Sequence, residues 1–186
     1  MTWLVLAVAA FAGLHLIPAL PNLKTRLRAN LGSAFGPLYG AASLAALIIA
    51  LWAFRFADRP ELYDPPFWGR HANFALTLVA FVFIGIFLFR GSWRNQVRFP
   101  MALAVIFWGT GHLLANGDAA SFILFAGLML AALAHAVMVH VNKTQVPSDE
   151  RAGHNLISVL SGIALYGVFA QLHGVLVGVP VFSLTG

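Results

Sequence analysis

Charged residues in this chain are confined to short stretches between apolar runs, and each run is about as long as a bilayer is thick, roughly 20 residues. The run over 119–140 holds no Lys, Arg, Asp or Glu at all. A soluble domain of this size carries about 25% charged residues, whereas this one carries 9%, with 60% hydrophobic residues and a mean hydropathy of +0.85. There is too little polar surface to cover a water-facing globule. The expected fold is therefore all-α, a polytopic membrane helix bundle forming one transmembrane domain over 1–186.

Six spans are expected, at 2–20, 37–54, 71–89, 101–116, 119–140 and 156–178. The first is read as a span because Met1, Thr2 and Trp3 lack the positive start of a signal peptide. Lys24, Arg26 and Arg28 after the first span, and Arg90, Arg94 and Arg98 after the third, have no acidic neighbours in their loops. The second connection balances Arg55, Arg59 and Arg70 against Asp58, Glu61 and Asp64, and Lys143, Asp149, Glu150 and Arg151 balance in the fifth. Positive loops inside put both termini outside, in the inner membrane of a bacterium. The same distribution makes the net charge of +5 an orientation signal, with no nucleic-acid module in view.

Breakers fall between the spans. Pro37 and Pro100 stand at helix starts, where a missing N–H costs nothing, and YDPPFW at 63–68 reads as a surface loop with interfacial aromatics. Ser148, Asp149 and Glu150 offer N-cap chemistry ahead of the last span. Gly36 with Gly40, and Gly174 with Gly178, have the spacing of close helix approach.

With no cysteine, the chain has no disulfide, thiolate zinc site, iron–sulfur cluster or cysteine nucleophile. The candidate chemistry lies in histidines. His15, His112, His135 and His173 sit inside apolar runs, where an unpaired polar group costs several kcal/mol. Each is either bonded to a neighbouring helix or bound to a metal. Depth at about 1.5 Å per residue pairs His15 with His135, and His112 with His173 or His71. It also sets His15 and His112 about 11 Å apart along the normal, so a group held by both needs an inclined axis. His71 and His140 lie at interfaces and His154 in a loop region. Carboxylates for a zinc or di-iron site are absent from the spans, and no serine has the company of a nucleophile. Two imidazoles on facing helices suit a b-type haem, with Phe, Leu and Ala for its pocket and arginines such as Arg70 for its propionates.

Three motifs are more specific: GLHLIP at 13–18, PPFWGRH at 65–71 and RFPMALAVIFWGTGHLLANGD at 98–118. In order and spacing they resemble the NnrU family of bacterial membrane proteins, with HLLANGD at 112–118 the strongest signature. The resemblance implies a requirement for nitric oxide and nitrite reductase function in denitrification. It also implies kinship with zeta-carotene isomerase, a haem-b membrane enzyme, whose two axial ligands are matched by His15 and His112. His135 and His71 are the reserve ligands. Where the isomerase pattern has a cysteine ligand, this chain has Gly109, so a cysteine-for-histidine switch has no ligand here. Phe99 likewise replaces a histidine common in the family.

Further expectations surround His112. Asn116 shares its helix face and is placed either to accept its Nδ1–H or, with Gly117, to cap the helix. Gly109 and Gly111 clear space beside it, for a flat macrocycle or for tight packing. Three functions follow from these readings. The first is a haem-b protein tied to respiratory nitrogen-oxide enzymes, the second an isomerase acting on an apolar membrane-soluble substrate, and the third a cofactor-free accessory protein. All have the lipid bilayer as partner.

Overall fold

In the computed structural model, which describes residues 1–143 and 151–181, the chain is helical. Five segments are long and apolar enough to cross a membrane: Thr2–Ala19, Pro21–Arg55, Gly69–Phe89, Ala119–Val141 and His154–Val177. This is a multi-pass membrane protein. The expected fourth span is a shorter apolar helix, Pro100–Ala115, about 24 Å long at 1.5 Å per residue and so short of a hydrocarbon core of about 30 Å. Pro100 begins it, as expected, and Asn116 ends it. The capping expected of Ser148, Asp149 and Glu150 lies outside the described residues.

The chain forms two compact units, Met1–Leu62 with Asp118–Gln145, and Tyr63–Gly117 with Val146–Gly186. In the first, α1 (Thr2–Leu16) packs against α3 (Phe35–Arg55) and α7 (Ala119–Val141). On α3 that seam is mostly small side chains. Ala46, Ala50 and Ala53 of α3 are buried at helical spacing, while Leu44, Ile48, Ile49 and Trp52 face outward. Large apolar groups gain nothing by leaving lipid for protein, whereas small ones let backbones approach and gain dispersion contacts. Gly127 of α7 follows the same logic, since a Cβ there would meet Val8 at 2.6 Å. Asp118 caps α7 by accepting from the Ser121 N–H (3.0 Å) and hydroxyl (2.6 Å), and Arg59 lies 3.9 Å from the same carboxylate.

One element of this unit was not expected. Lys24, Arg26 and Arg28, read as a loop, lie on a helix, α2 (Pro21–Leu31). Pro18 closes α1 in a 3₁₀ turn and Pro21 opens α2 at a position that needs no N–H. Pro37 lies in the first turn of α3, which begins at Phe35, and there too the missing N–H is harmless.

In the second unit α4 (Gly69–Phe89) packs against α6 (Pro100–Ala115) and α8 (His154–Val177), with α5 (Trp93–Gln96) a single turn between α4 and α6. Glycines set these crossings. A Cβ on Gly69 would run into the Leu114 carbonyl, one on Gly85 into the Ser158 carbonyl, and one on Gly162 would lie 2.6 Å from the Phe81 carbonyl. The glycine pairs named from spacing do no such work. Gly36 and Gly40 face open space, Gly174 has ordinary van der Waals contact with Pro180, and Gly178 ends α8 with φ +83°. Spacing alone does not say which face meets a neighbour. At the unit's turns, the buried Arg94 donates to the carbonyls of Val97 and Arg98. Burial, and secondarily Arg90, lowers its affinity for the proton below that of an ordinary guanidinium.

Candidate functional site

Five histidines share one habit: each donates Nδ1–H to a main-chain carbonyl. A carbonyl can only accept, so Nδ1 carries a proton, and whenever the ring is neutral its lone pair is on Nε2. That is the tautomer a metal-ligating histidine adopts. The five differ in where the carbonyl comes from.

His15, half-buried near the end of α1, bonds the Phe11 carbonyl four residues back at 2.9 Å. Its ring stacks on Phe11 with centroids 3.9 Å apart, and Tyr39 of α3 lies tilted at 6.3 Å. His112 repeats the pattern in α6, with Nδ1–H to the Trp108 carbonyl at 2.8 Å and the Trp108 ring at 5.0 Å. In both cases the aromatic and the accepting carbonyl belong to the residue one turn earlier. The ring is thereby held against its own helix with Nε2 directed away from the backbone partner.

The other three histidines tie segments together. His135 of α7 donates to the carbonyl of His15 itself at 2.6 Å. Asn142, two turns further along α7, donates to the Ala19 carbonyl at 2.8 Å. Both acceptors lie where α1 gives way to its 3₁₀ turn and helix carbonyls lose their own donors. His154, expected in a loop, is the first residue of α8 and donates to the Phe89 carbonyl at the end of α4 (2.9 Å). His173 donates to the Val179 carbonyl beyond the end of α8 (2.6 Å). Its ring lies over that of His112, with centroids 6.5 Å apart and planes inclined by 24°.

Both pairings expected from depth are present, then, His15 with His135 and His112 with His173. His71 and His140 are exposed. His15 belongs to the first unit and His112 to the second. Among the described residues, no three His, Asp or Glu side chains gather where they could hold a bare metal ion.

Asn116 does not orient His112. The ring's Nδ1–H goes to Trp108, and the Asn116 amide instead donates to the main-chain carbonyl of His112 at 2.9 Å, where its own N–H also points. This is the capping alternative. A carbonyl one turn back is always within reach in a helix, so it wins over a side chain that must be held in place. Gly111 serves packing, since a Cβ there would lie 2.7 Å from the Asn73 amide oxygen and 3.1 Å from its Cα. Gly109 is buried. Arg70 is exposed at the start of α4, with its guanidinium on the Val181 carbonyl (3.1 Å) and over the Phe74 ring.

Tyr63 carries a role that sequence reasoning missed. Its hydroxyl faces the carbonyls of Leu113 and Asn116 (2.8 Å to the latter), and its N–H donates to the Gly117 carbonyl. It thus holds the end of α6 one residue beyond His112. Its place two residues before the Pro-Pro pair signalled only a loop.

A family model described as NnrU protein matches residues 3–181. No curated protein and no solved structure matches the chain.

Proposed function

The chain belongs to the NnrU family, and on that premise we propose that it is a haem-b-binding membrane protein in which His15 and His112 would hold the haem. One observation supports this reading above all. These two imidazoles, matched to ligands by the family resemblance, are also the two whose rings are fixed by their own helices, each on an aromatic one turn earlier. A ligand set by its own helix needs no second element to fix its tautomer or direction. Haem held by these two imidazoles would supply one-electron redox chemistry.

The role follows the family resemblance: support of nitric oxide and nitrite reductase function in the inner membrane of a denitrifying bacterium. The test is an absorption spectrum of protein purified from cells supplied with haem. A Soret band is expected, lost in His15→Ala and in His112→Ala. A colourless wild type overturns the reading.

A second reading, an accessory protein without a cofactor, is favoured by a different observation. Every mid-span histidine already has a backbone carbonyl for its Nδ1–H, so burial alone does not require a metal. In that case His15→Ala and His112→Ala should still complement a denitrifying host.

A further inference from the structure

Where α1 ends and α3 begins, the first unit carries a groove of about 550 Å³, inside the range of roughly 300–1,000 Å³ common for small-ligand sites. Lys24 and Arg28 of α2 line it, with Pro18, Ser33, and Phe35 and Tyr39 of α3. The two cations are one helical turn apart and so share a face. The Arg28 guanidinium lies 5.6 Å over the Phe35 ring, which keeps it at the groove. No acidic residue occurs before Asp58, and among the described residues the ion pair formed is Arg59 with Asp118. Among the described residues, no carboxylate pairs with Lys24 or Arg28.

The helix that presents them is built for a membrane boundary. α2 joins two apolar helices and buries none of its own residues. Leu23, Leu27 and Leu31 recur every four residues as an apolar stripe, and Leu23 and Leu31 are exposed. Lys24 and Arg28 border that stripe on one side and Arg26 on the other, the layout of a helix lying in the interface with its leucines toward acyl chains. Leu38 of α3, the element that forms the other wall of the groove, is also exposed.

We propose that this groove binds the phosphate of an anionic phospholipid, with Arg28 and Lys24 on the phosphate oxygens and the acyl chains along Leu23, Leu31 and Leu38. Arginine forks onto phosphate oxygens, lysine adds a point charge, and the Ser33 hydroxyl can donate beside them. Exposed leucines on the helix that carries the cations favour a lipid over free phosphate, which has no use for them. On the positive-inside reading this rim faces the cytoplasmic leaflet, where anionic lipid offers such a headgroup.

The experiment titrates the full-length protein, purified in neutral detergent, with phosphatidylglycerol and with phosphatidylcholine, counting bound lipid by native mass spectrometry. One phosphatidylglycerol is expected to bind in clear preference to phosphatidylcholine. Lys24→Gln with Arg28→Gln should weaken it about thirtyfold, the sum of about 1 kcal/mol for each cation at a lipid surface. Arg26→Gln, off the groove, should cost less than about fivefold. Gly36→Leu adds a side chain to the groove wall, in space where a Cβ meets nothing within 4 Å, and should block binding with every charge kept. Lys24→Arg should retain binding, which separates loss of site from loss of fold.

Four results overturn the proposal. Arg26→Gln could weaken binding as much as the double variant does, Gly36→Leu could bind like wild type, or millimolar inorganic phosphate could displace the lipid. The fourth is a double variant that keeps its lipid but loses a Soret band, which would assign the groove to haem carboxylates.

Discussion

His135 donates its Nδ1–H to the main-chain carbonyl of His15, 2.6 Å away, so the imidazole of one mid-span histidine secures the backbone of another. With Asn142 on Ala19 it fastens the end of α1 to α7 at two points. The contact gives His135 a structural task that does not require it to be a ligand.

His135→Phe should therefore lower stability by about 1–3 kcal/mol, the usual cost of stranding a buried acceptor. His135→Gln, which can still donate, should recover part of it. Thermal unfolding in detergent measures both. The Soret band should survive in each variant, and its loss would make His135 an axial ligand.

Glycine substitutions should separate the packing faces from the open ones. Gly85→Ala drives a methyl into the Ser158 carbonyl and Gly111→Ala crowds Asn73, so each should destabilise by about 1–3 kcal/mol through overpacking. Gly40→Ala enters open space inside α3 and should stabilise by about 0.5–1 kcal/mol, the ordinary gain over glycine in a helix. Melting temperatures of the three variants decide this.

Asp118→Ala removes the cap of α7 and should cost about 1 kcal/mol. Asp118→Asn keeps an acceptor for the Ser121 N–H and should cost less, because the Arg59 pair is partly exposed and weak. Similar losses for the two variants would mean that the ion pair, not the cap, stabilises this turn.

Tyr63→Phe should free the last turn of α6 while leaving His112 bonded to Trp108. Faster amide exchange over 113–116 is expected, with a loss of about 1 kcal/mol for the hydroxyl. Asn116→Ala should act on the same turn and leave any Soret band in place, since the amide does not touch the His112 ring.

The membrane class and the bounds of the long helices were legible in the chain, because the bilayer demands apolar length and short connections and writes that demand into composition. The last span begins at His154, two residues before the expected start, and the first passes into a 3₁₀ turn over Ile17–Ala19, inside its expected bounds of 2–20. The helix over 21–31 was missed because three cations among three leucines read as a polar loop when counted. They read as an amphipathic helix only when placed at 100° per residue. The depth pairings of histidines were legible too, since rise per residue converts sequence position into height.

Sequence by itself thus determined that the protein is a multi-pass helical membrane protein, where its long apolar helices run, and which histidines share a level. Tertiary structure alone decided what each histidine touches, which glycines let helices meet, and that Lys24 and Arg28 converge on one groove. Height along a helix follows from the chain, but the direction a side chain takes depends on which neighbour packs there. In lipid, where apolar faces look alike, that choice rests on small residues and a few hydrogen bonds.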